Sequence, residues 1–307
     1  MLSTNVSIEQ KIILPEFEAA GVTVFVKRDD MIHPFISGNK WRKLKYNYDR
    51  FLKSGCKGIV TFGGAFSNHI IATAAFCAEK HIECLGIIRG ERPEGINHVL
   101  ILAQLWGMKL EFVSREKYKG KPELEDYWKM KNYFIIPEGG ENEDGVKGCE
   151  EIINELTQTY NHIFCASGTG CTFAGIVKGV AAQNLDTHCH SIAVLKQGEF
   201  IIDKVLEYIP DAKNFTVHTD YHFGGYAKTT PELLEFLNSF ASQTGILTDP
   251  IYTTKLFWGL MDLVKKGYFK KGETILTIHT GGLIGLLSDK MLTDVQKSIN
   301  EKTLITH

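Results

Sequence analysis

His162-Ile163-Phe164-Cys165-Ala166-Ser167-Gly168-Thr169-Gly170-Cys171-Thr172-Phe173-Ala174-Gly175 is the stretch that decides the fold. Its apolar run, His162 to Ala166, reads as a buried strand. Ser167 to Gly170 reads as a tight turn, and the small and apolar residues from Cys171 to Ala182 read as a helix. Glycines let such a backbone curl around an anion, and the hydroxyls add donors. The turn is therefore a fair phosphate cradle. It is not a P-loop, because no Gly-Lys-Ser/Thr closes it, and its third glycine is misplaced for a dinucleotide fingerprint. A plain glycine-rich turn is the competing reading.

The same alternation runs outward in both directions. Val22–Lys27, Gly58–Phe62, Glu83–Ile88, Leu110–Val113, Tyr133–Ile136, Ser191–Leu195, Asn214–Val217 and Thr274–His279 read as further buried strands. Asn68–Lys80, Asn97–Leu105, Val146–Tyr160, Pro231–Thr244 and Tyr252–Lys266 read as helices. Strand alternating with helix predicts an α/β protein with parallel sheets covered on both faces. Ligands in such folds sit beyond the carboxyl ends of strands. The charged stretch Arg115–Lys131 reads as a solvated surface segment. No repeat or low-complexity linker marks a boundary.

Composition narrows the function. The chain has 307 residues, 44% of them apolar, enough to bury roughly 75% of its unfolded surface. With 34 basic and 36 acidic residues it has no nucleic-acid footprint. No apolar run approaches the about 20 residues of a membrane span. The N-terminus has no basic region followed by an apolar core, so no secretory signal is expected. Seven cysteines without a Cys-x-x-Cys pair read as reduced, buried thiols of a cytoplasmic protein.

Three further segments could carry chemistry. Phe62-Gly63-Gly64-Ala65-Phe66-Ser67-Asn68-His69 opens a helix with Ser67 as N-cap, and both a simple cap and an anion seat fit it. His279-Thr280-Gly281-Gly282 follows a strand and could line a cofactor or be a close-packed turn. Lys40 and Lys43, in Ser37-Gly38-Asn39-Lys40-Trp41-Arg42-Lys43-Leu44, share one face of a helix. One amine could hold an aldehyde as a Schiff base while the other meets a phosphate. By pattern alone they are solvated lysines. His188 with His190, and His218 with His222, read as surface or packed histidines and not as a metal site.

Taken in order, Ser37-Gly38-Asn39-Lys40-x-Arg42-Lys43-Leu44, Gly63-Gly64-x-x-Ser67-Asn68-His69, Thr169-Gly170-Cys171-Thr172, Leu247 to Lys255 and His279-Thr280-Gly281-Gly282 resemble the signatures of fold-type II pyridoxal-phosphate enzymes. The branch is that of 1-aminocyclopropane-1-carboxylate deaminase and D-cysteine desulfhydrase. The resemblance runs from about Val24 to Gly285. It implies a two-domain fold like the tryptophan synthase β subunit. Residues 1–43 and 151–307 would form a large cofactor-binding domain, and 44–150 a small inserted one. Lys40 would hold pyridoxal 5′-phosphate as a Schiff base and move protons. Lys43, Thr169, Gly170, Cys171 and Thr172 would bind the phosphate, and Asn68 the ring's 3′-oxygen. Ser67, Asn68 and His69 would receive the substrate carboxylate, although the family more often has Gln where His69 stands. Tyr226 and Tyr252 would flank the substrate, with the catalytic set being Lys40, Ser67, Tyr226 and Tyr252. A homodimer is also implied.

Thr253 is the residue that would meet the pyridine nitrogen, where the cyclopropane deaminases have Glu. A carboxylate keeps that nitrogen protonated, whereas a hydroxyl only hydrogen-bonds it. The weaker electron sink still suffices for β-elimination. The resemblance therefore implies β-elimination from a D-amino acid, D-cysteine giving pyruvate, sulfide and ammonia. The alternatives are cyclopropane deamination to 2-oxobutanoate, a pyridoxal-phosphate-binding protein without turnover, and a nicotinamide-dependent dehydrogenase resting only on Gly168-x-Gly170.

Overall fold

The computed structural model describes residues 4–36 and 38–305; Ser37 of the lysine motif lies outside the described residues. In chain order the described strands are β1 (Glu9–Ile12), β2 (Thr23–Lys27), β3 (Gly58–Gly64), β4 (Glu83–Arg89), β5 (Lys109–Val113), β6 (Tyr133–Ile136), β7 (His162–Ser167), β8 (His188–Ala193), β9 (Phe215–His218) and β10 (Thr274–Ile278). Six of them form one sheet in the order β1-β2-β10-β7-β8-β9, and four form a second in the order β5-β4-β3-β6. Only β1 runs antiparallel, against β2. The four-stranded sheet is parallel throughout.

The helices are α1 (Pro15–Ala20), α2 (Asn39–Ser54), α3 (Asn68–Glu79), α4 (His98–Leu105), α5 (Arg115–Lys119), α6 (Lys121–Met130), α7 (Glu143–Asn154), α8 (Cys171–Ala182), α9 (Phe200–Tyr208), α10 (Pro231–Thr244), α11 (Thr253–Lys265) and α12 (Asp289–Ile305). One core joins α1 and α11 to one face of the large sheet through Phe17, Val24, Phe164, Phe257, Leu260 and Ile275. On the other face α7 and α8 contribute Ile152, Phe173 and Ile176 against Ile163 and Leu276. Leu44, Ile59, Ile70 and Phe76 pack α2 and α3 against the small sheet. Each such burial contributes about 1.5–3 kcal/mol. This double cover explains why the parallel strands read as continuous apolar runs.

Several elements depart from the sequence reading, which gave none to β1, α1, α9 or α12. β8 begins at His188, not Ser191, because its two histidines face neighbours across the sheet. His162 Nδ1 and His190 Nε2 lie 3.0 Å apart, and His190 Nδ1 and His218 Nε2 3.1 Å. β1 buries only Ile12, so no apolar run announces it. α7 starts at Glu143 because Asn142 caps it, accepting from Gly145 N at 2.9 Å. The charged stretch Arg115–Lys131 forms α5 and α6, in which Tyr118 is buried. Among the described residues no group of His, Cys, Asp and Glu is arranged to hold a metal ion, and no helix is long and apolar enough to cross a membrane. All seven cysteines are free, and all but Cys56 are buried.

The carboxyl ends of β2, β7 and β10 from one sheet, and of β3 and β6 from the other, open toward the same place. The contacts that prove it are close. A Cβ built on Gly38, before α2, would lie 1.9 Å from the Thr280 carbonyl oxygen after β10. A Cβ on Gly282 would lie 2.6 Å from Asn68 Nδ2 at the start of α3.

Candidate active site

The lysine pair sits on the first turns of α2. Gly38 enters this helix at φ 58°, a conformation that disfavours side chains. Asn39 Nδ2 donates to Thr172 Oγ1 at 2.9 Å, tying α2 to the start of α8. Lys43 is buried and donates from Nζ to Gly139 O at 3.1 Å, just beyond β6. Lys40 Nζ has no hydrogen-bond partner among the described residues. Burial first, then the neighbouring Lys43 charge, lowers the Lys40 amine to about 7. Such an amine is partly neutral near physiological pH, the state a nucleophile or base requires.

The glycine turn after β7 lies beside this pair. Gly170 adopts φ 87° and starts α8, which no side chain caps. The first amides of α8 are thus available to an anion. Cys171 and Thr172 are buried there, with Cys171 Sγ 3.6 Å from Gly140 O. A Cβ on Gly139 would meet the Thr169 side chain at 3.5 Å. Thr169, Gly170, Cys171, Thr172 and Lys43 are therefore brought together.

Across from them is the start of α3. Ser67 Oγ accepts from His69 N at 3.2 Å and Ile70 N at 3.4 Å, so it caps the helix and keeps its own hydrogen to donate. Asn68 Oδ1 and His69 Nδ1 are buried and have no hydrogen-bond partner.

The aromatic wall comes from two segments. The rings of Tyr226 and Tyr252 meet edge to face, centroids 6.0 Å apart, with their hydroxyls 3.4 Å apart. Tyr252 also covers Gly168, where a Cβ would meet its ring at 3.3 Å. Burial pushes the Tyr252 phenol well above its ordinary value. Thr253 is fully buried, and Oγ1 donates to Asp249 Oδ2 at 2.8 Å and accepts from Asp249 N at 2.7 Å. The Thr253 hydrogen is therefore already taken within its own segment.

Against this geometry, comparison with known proteins is decisive. The model for "Pyridoxal-phosphate dependent enzyme" matches residues 10–281. The chain belongs to that family. This pyridoxal-phosphate enzyme is 33% identical over 294 residues to a Pyrococcus horikoshii protein provisionally named 1-aminocyclopropane-1-carboxylate deaminase, covering 89% of each chain. It is 31% identical to the bifunctional D-cysteine desulfhydrase/1-aminocyclopropane-1-carboxylate deaminase, mitochondrial, of Arabidopsis thaliana, covering 87% of this chain and 74% of that one. Among solved structures, an ACC deaminase homologue superposes with a TM-score of 0.81 at 29% identity, covering 94% of this chain and 93% of that one. The fold class, the cofactor and the deaminase/desulfhydrase branch are those the motifs imply.

The residues of this enzyme fit the cofactor. An uncapped helix start beside a buried lysine suits a phosphate dianion. The orphaned Asn68 Oδ1 and His69 Nδ1 mark a space lined with polar groups. Three further groups escaped the sequence reading. Arg42 is fully buried and forks onto Asp29 and Glu155. Lys255 Nζ donates to the carbonyls of His222 at 2.8 Å, Gly225 at 3.0 Å and Val194 at 3.3 Å, pinning the turn that carries Tyr226. Asp249 accepts from Ile251 N, Tyr252 N and Thr253 N. Arg42, Lys255 and Asp249 lay inside quoted motifs, but only burial reveals their work.

Proposed function

We propose that this enzyme catalyses β-elimination from a D-amino acid, with D-cysteine and water giving pyruvate, hydrogen sulfide and ammonia. The observation that carries the choice is the absence of a free carboxylate in the segment after Tyr252. Thr253 stands there, and Asp249 has both oxygens engaged in hydrogen bonds to the same segment. Without an acid on the pyridine nitrogen, a reaction needing only α-deprotonation and departure of a thiol is favoured.

The electron sink is supplied by bound pyridoxal phosphate. Lys40 would hold it, and its amine would take the α-proton of the substrate. Lys43, with the amides and hydroxyls of Thr169, Gly170, Cys171 and Thr172, would bind its phosphate. Asn68 would hydrogen-bond its 3′-oxygen. The Ser67 hydroxyl and the amides at the start of α3 receive the substrate carboxylate. Tyr226 and Tyr252 flank the substrate, and one of them gives a proton to the departing sulfur. In the same reading residues 44–150, which contain the whole small sheet, form an inserted domain, the chain works as a homodimer, and it is cytoplasmic.

A second reading is cyclopropane deamination, favoured by the names of the relatives. The test is sulfide release from D-cysteine by the loaded protein, with L-cysteine and 1-aminocyclopropane-1-carboxylate as controls. Release from the D-isomer alone supports the proposal. Production of 2-oxobutanoate without sulfide overturns it in favour of the second reading. An intact lysine-linked chromophore that no amino acid perturbs overturns both and leaves a binding protein.

A further inference from the structure

His162, His190 and His218 take no part in the site above, yet they form a line across the large sheet. Phe164 of β7 and Thr216 of β9 lie opposite His190 of β8. His162 and His218 are two residues from those positions, so all three side chains share one face. His190 Nε2 lies 3.0 Å from His162 Nδ1, and His190 Nδ1 lies 3.1 Å from His218 Nε2. The line ends at Glu273, just before β10, whose Oε2 is 3.2 Å from His162 Nε2. His190 is fully buried, with Phe164 stacked on its ring at 4.2 Å and Tyr268 edge-on at 5.7 Å.

Each contact between two ring nitrogens needs one hydrogen and one lone pair. A carboxylate only accepts, so His162 carries a hydrogen on Nε2. With all three rings neutral, His162 Nδ1 is a lone pair and accepts from His190 Nε2. His190 Nδ1 is then bare and accepts from His218 Nε2. Every hydrogen points toward Glu273. The one ring nitrogen not bonded within the line is His218 Nδ1, so a further proton enters there. Every contact survives whichever ring then carries the charge, and the surroundings choose the ring. Burial, and then the neighbouring imidazoles, hold His190 down to about 2. Burial, and then His188, hold His218 down to about 4. Among the three, only His162 has a carboxylate within hydrogen-bond distance.

We propose that His162, His190 and His218 form a single proton-binding site, in which a proton taken up at His218 comes to rest as charge on His162 beside Glu273. The hydrogens balance. His218 Nδ1 gains the proton, the Nε2 hydrogen of His218 passes to His190 Nδ1, and the Nε2 hydrogen of His190 passes to His162 Nδ1. The line reverses without losing a bond, so β7, β8 and β9 stay tied through acidification. His190 relays the proton and stays neutral on either side of the change, as its burial demands. The other titratable groups that face the line are His188 on β8, Asp220 and Tyr221 after β9, and Tyr268 and Lys270 before β10. Asp262 of α11 stands behind Tyr221 and accepts its hydroxyl hydrogen at 2.6 Å.

The test is a pH titration of the full-length, cofactor-loaded protein by nitrogen NMR with labelled histidine, the rings being assigned by single replacements. At the alkaline end all three rings should carry hydrogen on Nε2. On acidification they should change together at one midpoint. His190 and His218 should move their hydrogen to Nδ1 and stay neutral, while His162 gains its second hydrogen. In Glu273→Gln that midpoint should fall by about one pH unit, the worth of one hydrogen bond to a charged donor. Charge appearing on His218 or His190, or a His190 that keeps its Nε2 hydrogen while His162 becomes charged, overturns the proposal. So do three separate midpoints, or an unmoved midpoint in Glu273→Gln. Loss of the fold before any of the three rings changes overturns it too, since the folded line would then take up no proton. If Glu273→Gln does not fold, the titration of the unaltered chain decides alone. None of these readouts uses turnover, so the result stands apart from the choice of substrate.

Discussion

Arg42 grips Asp29 with two hydrogen bonds, Nε to Oδ2 at 2.6 Å and Nη2 to Oδ1 at 2.8 Å, and both side chains are sealed from water. The same guanidinium holds both oxygens of Glu155 at 2.8 Å. Asp29 follows β2, Arg42 lies between Lys40 and Lys43, and Glu155 follows α7. The fork therefore sets the height of α2 against the large sheet, and with it both lysines against the glycine turn. A planar fork does this where a flexible ammonium would not.

Replacing Arg42 with Met leaves Asp29 as an uncompensated buried charge. The expected loss is about 3–5 kcal/mol in urea denaturation. The pH dependence gives a second reading. Burial alone would raise the Asp29 carboxyl, but Arg42, with Ser7 and Lys27, holds it below its ordinary value. Its stabilisation is complete above the unfolded value of about 3.9 and is lost as pH falls through the depressed folded value. Without Arg42 burial raises the folded value, so protonation relieves the buried charge, and the deficit of the variant against wild type should shrink as pH falls into the acid range. A deficit that stays constant into acid would remove Asp29 from this account.

Lys40 carries the next expectation. With its amine lowered to about 7, the rate of cofactor capture should rise with pH through about 7 and level off above, as the neutral amine becomes the main form. Stopped-flow absorbance measures it. Lys40→Ala should lose the lysine-linked chromophore and at least about 10²–10⁴-fold in turnover. Undiminished activity in that variant would refute the assignment.

The same distinction between local and tertiary signals decides what the sequence reveals. The parallel strands were legible because burial on both faces makes each one a continuous apolar run, as in Ile59 to Phe62. The helix starts at Ser67 and Cys171 were legible because capping and small residues are local signals. β1 was not, since three of its four residues keep contact with solvent. The role of Lys255 was not, because its acceptors lie 33, 30 and 61 residues away and are backbone carbonyls, which leave no mark in the sequence. Thr253 shows the limit most sharply. Its residue type suggested a donor to a ring nitrogen, yet its hydrogen is taken by Asp249, four residues upstream.

Gly38 tests the closeness of the two motifs it joins. Its φ of 58° and the 1.9 Å approach of a built Cβ to Thr280 O leave no room for a methyl group. Gly38→Ala should separate the start of α2 from the turn after β10. A loss of at least about 1–3 kcal/mol is expected from backbone strain alone, together with weaker cofactor retention on dialysis. Wild-type retention would mean that the turn gives way without moving Lys40.

Lys255 is the last and most discriminating case, because it touches neither lysine of the cofactor site. Its three hydrogens meet three carbonyls, two of them in the turn that presents Tyr226. Lys255→Met should keep the chromophore, since the residues holding cofactor are untouched. Turnover should nevertheless fall by about tenfold or more, because small displacements of a group acting on the substrate are costly. Burial lowers the Lys255 ammonium to about 8. As pH rises through about 8 the amine loses one hydrogen, one carbonyl loses its partner, and the Tyr226 turn loosens. Wild-type turnover should therefore decline through that range, and the decline should be absent from Lys255→Met. A variant that turns over like the wild type at neutral pH would show that Tyr226 needs no anchoring, and would shift the proton donor for the leaving sulfur to Tyr252.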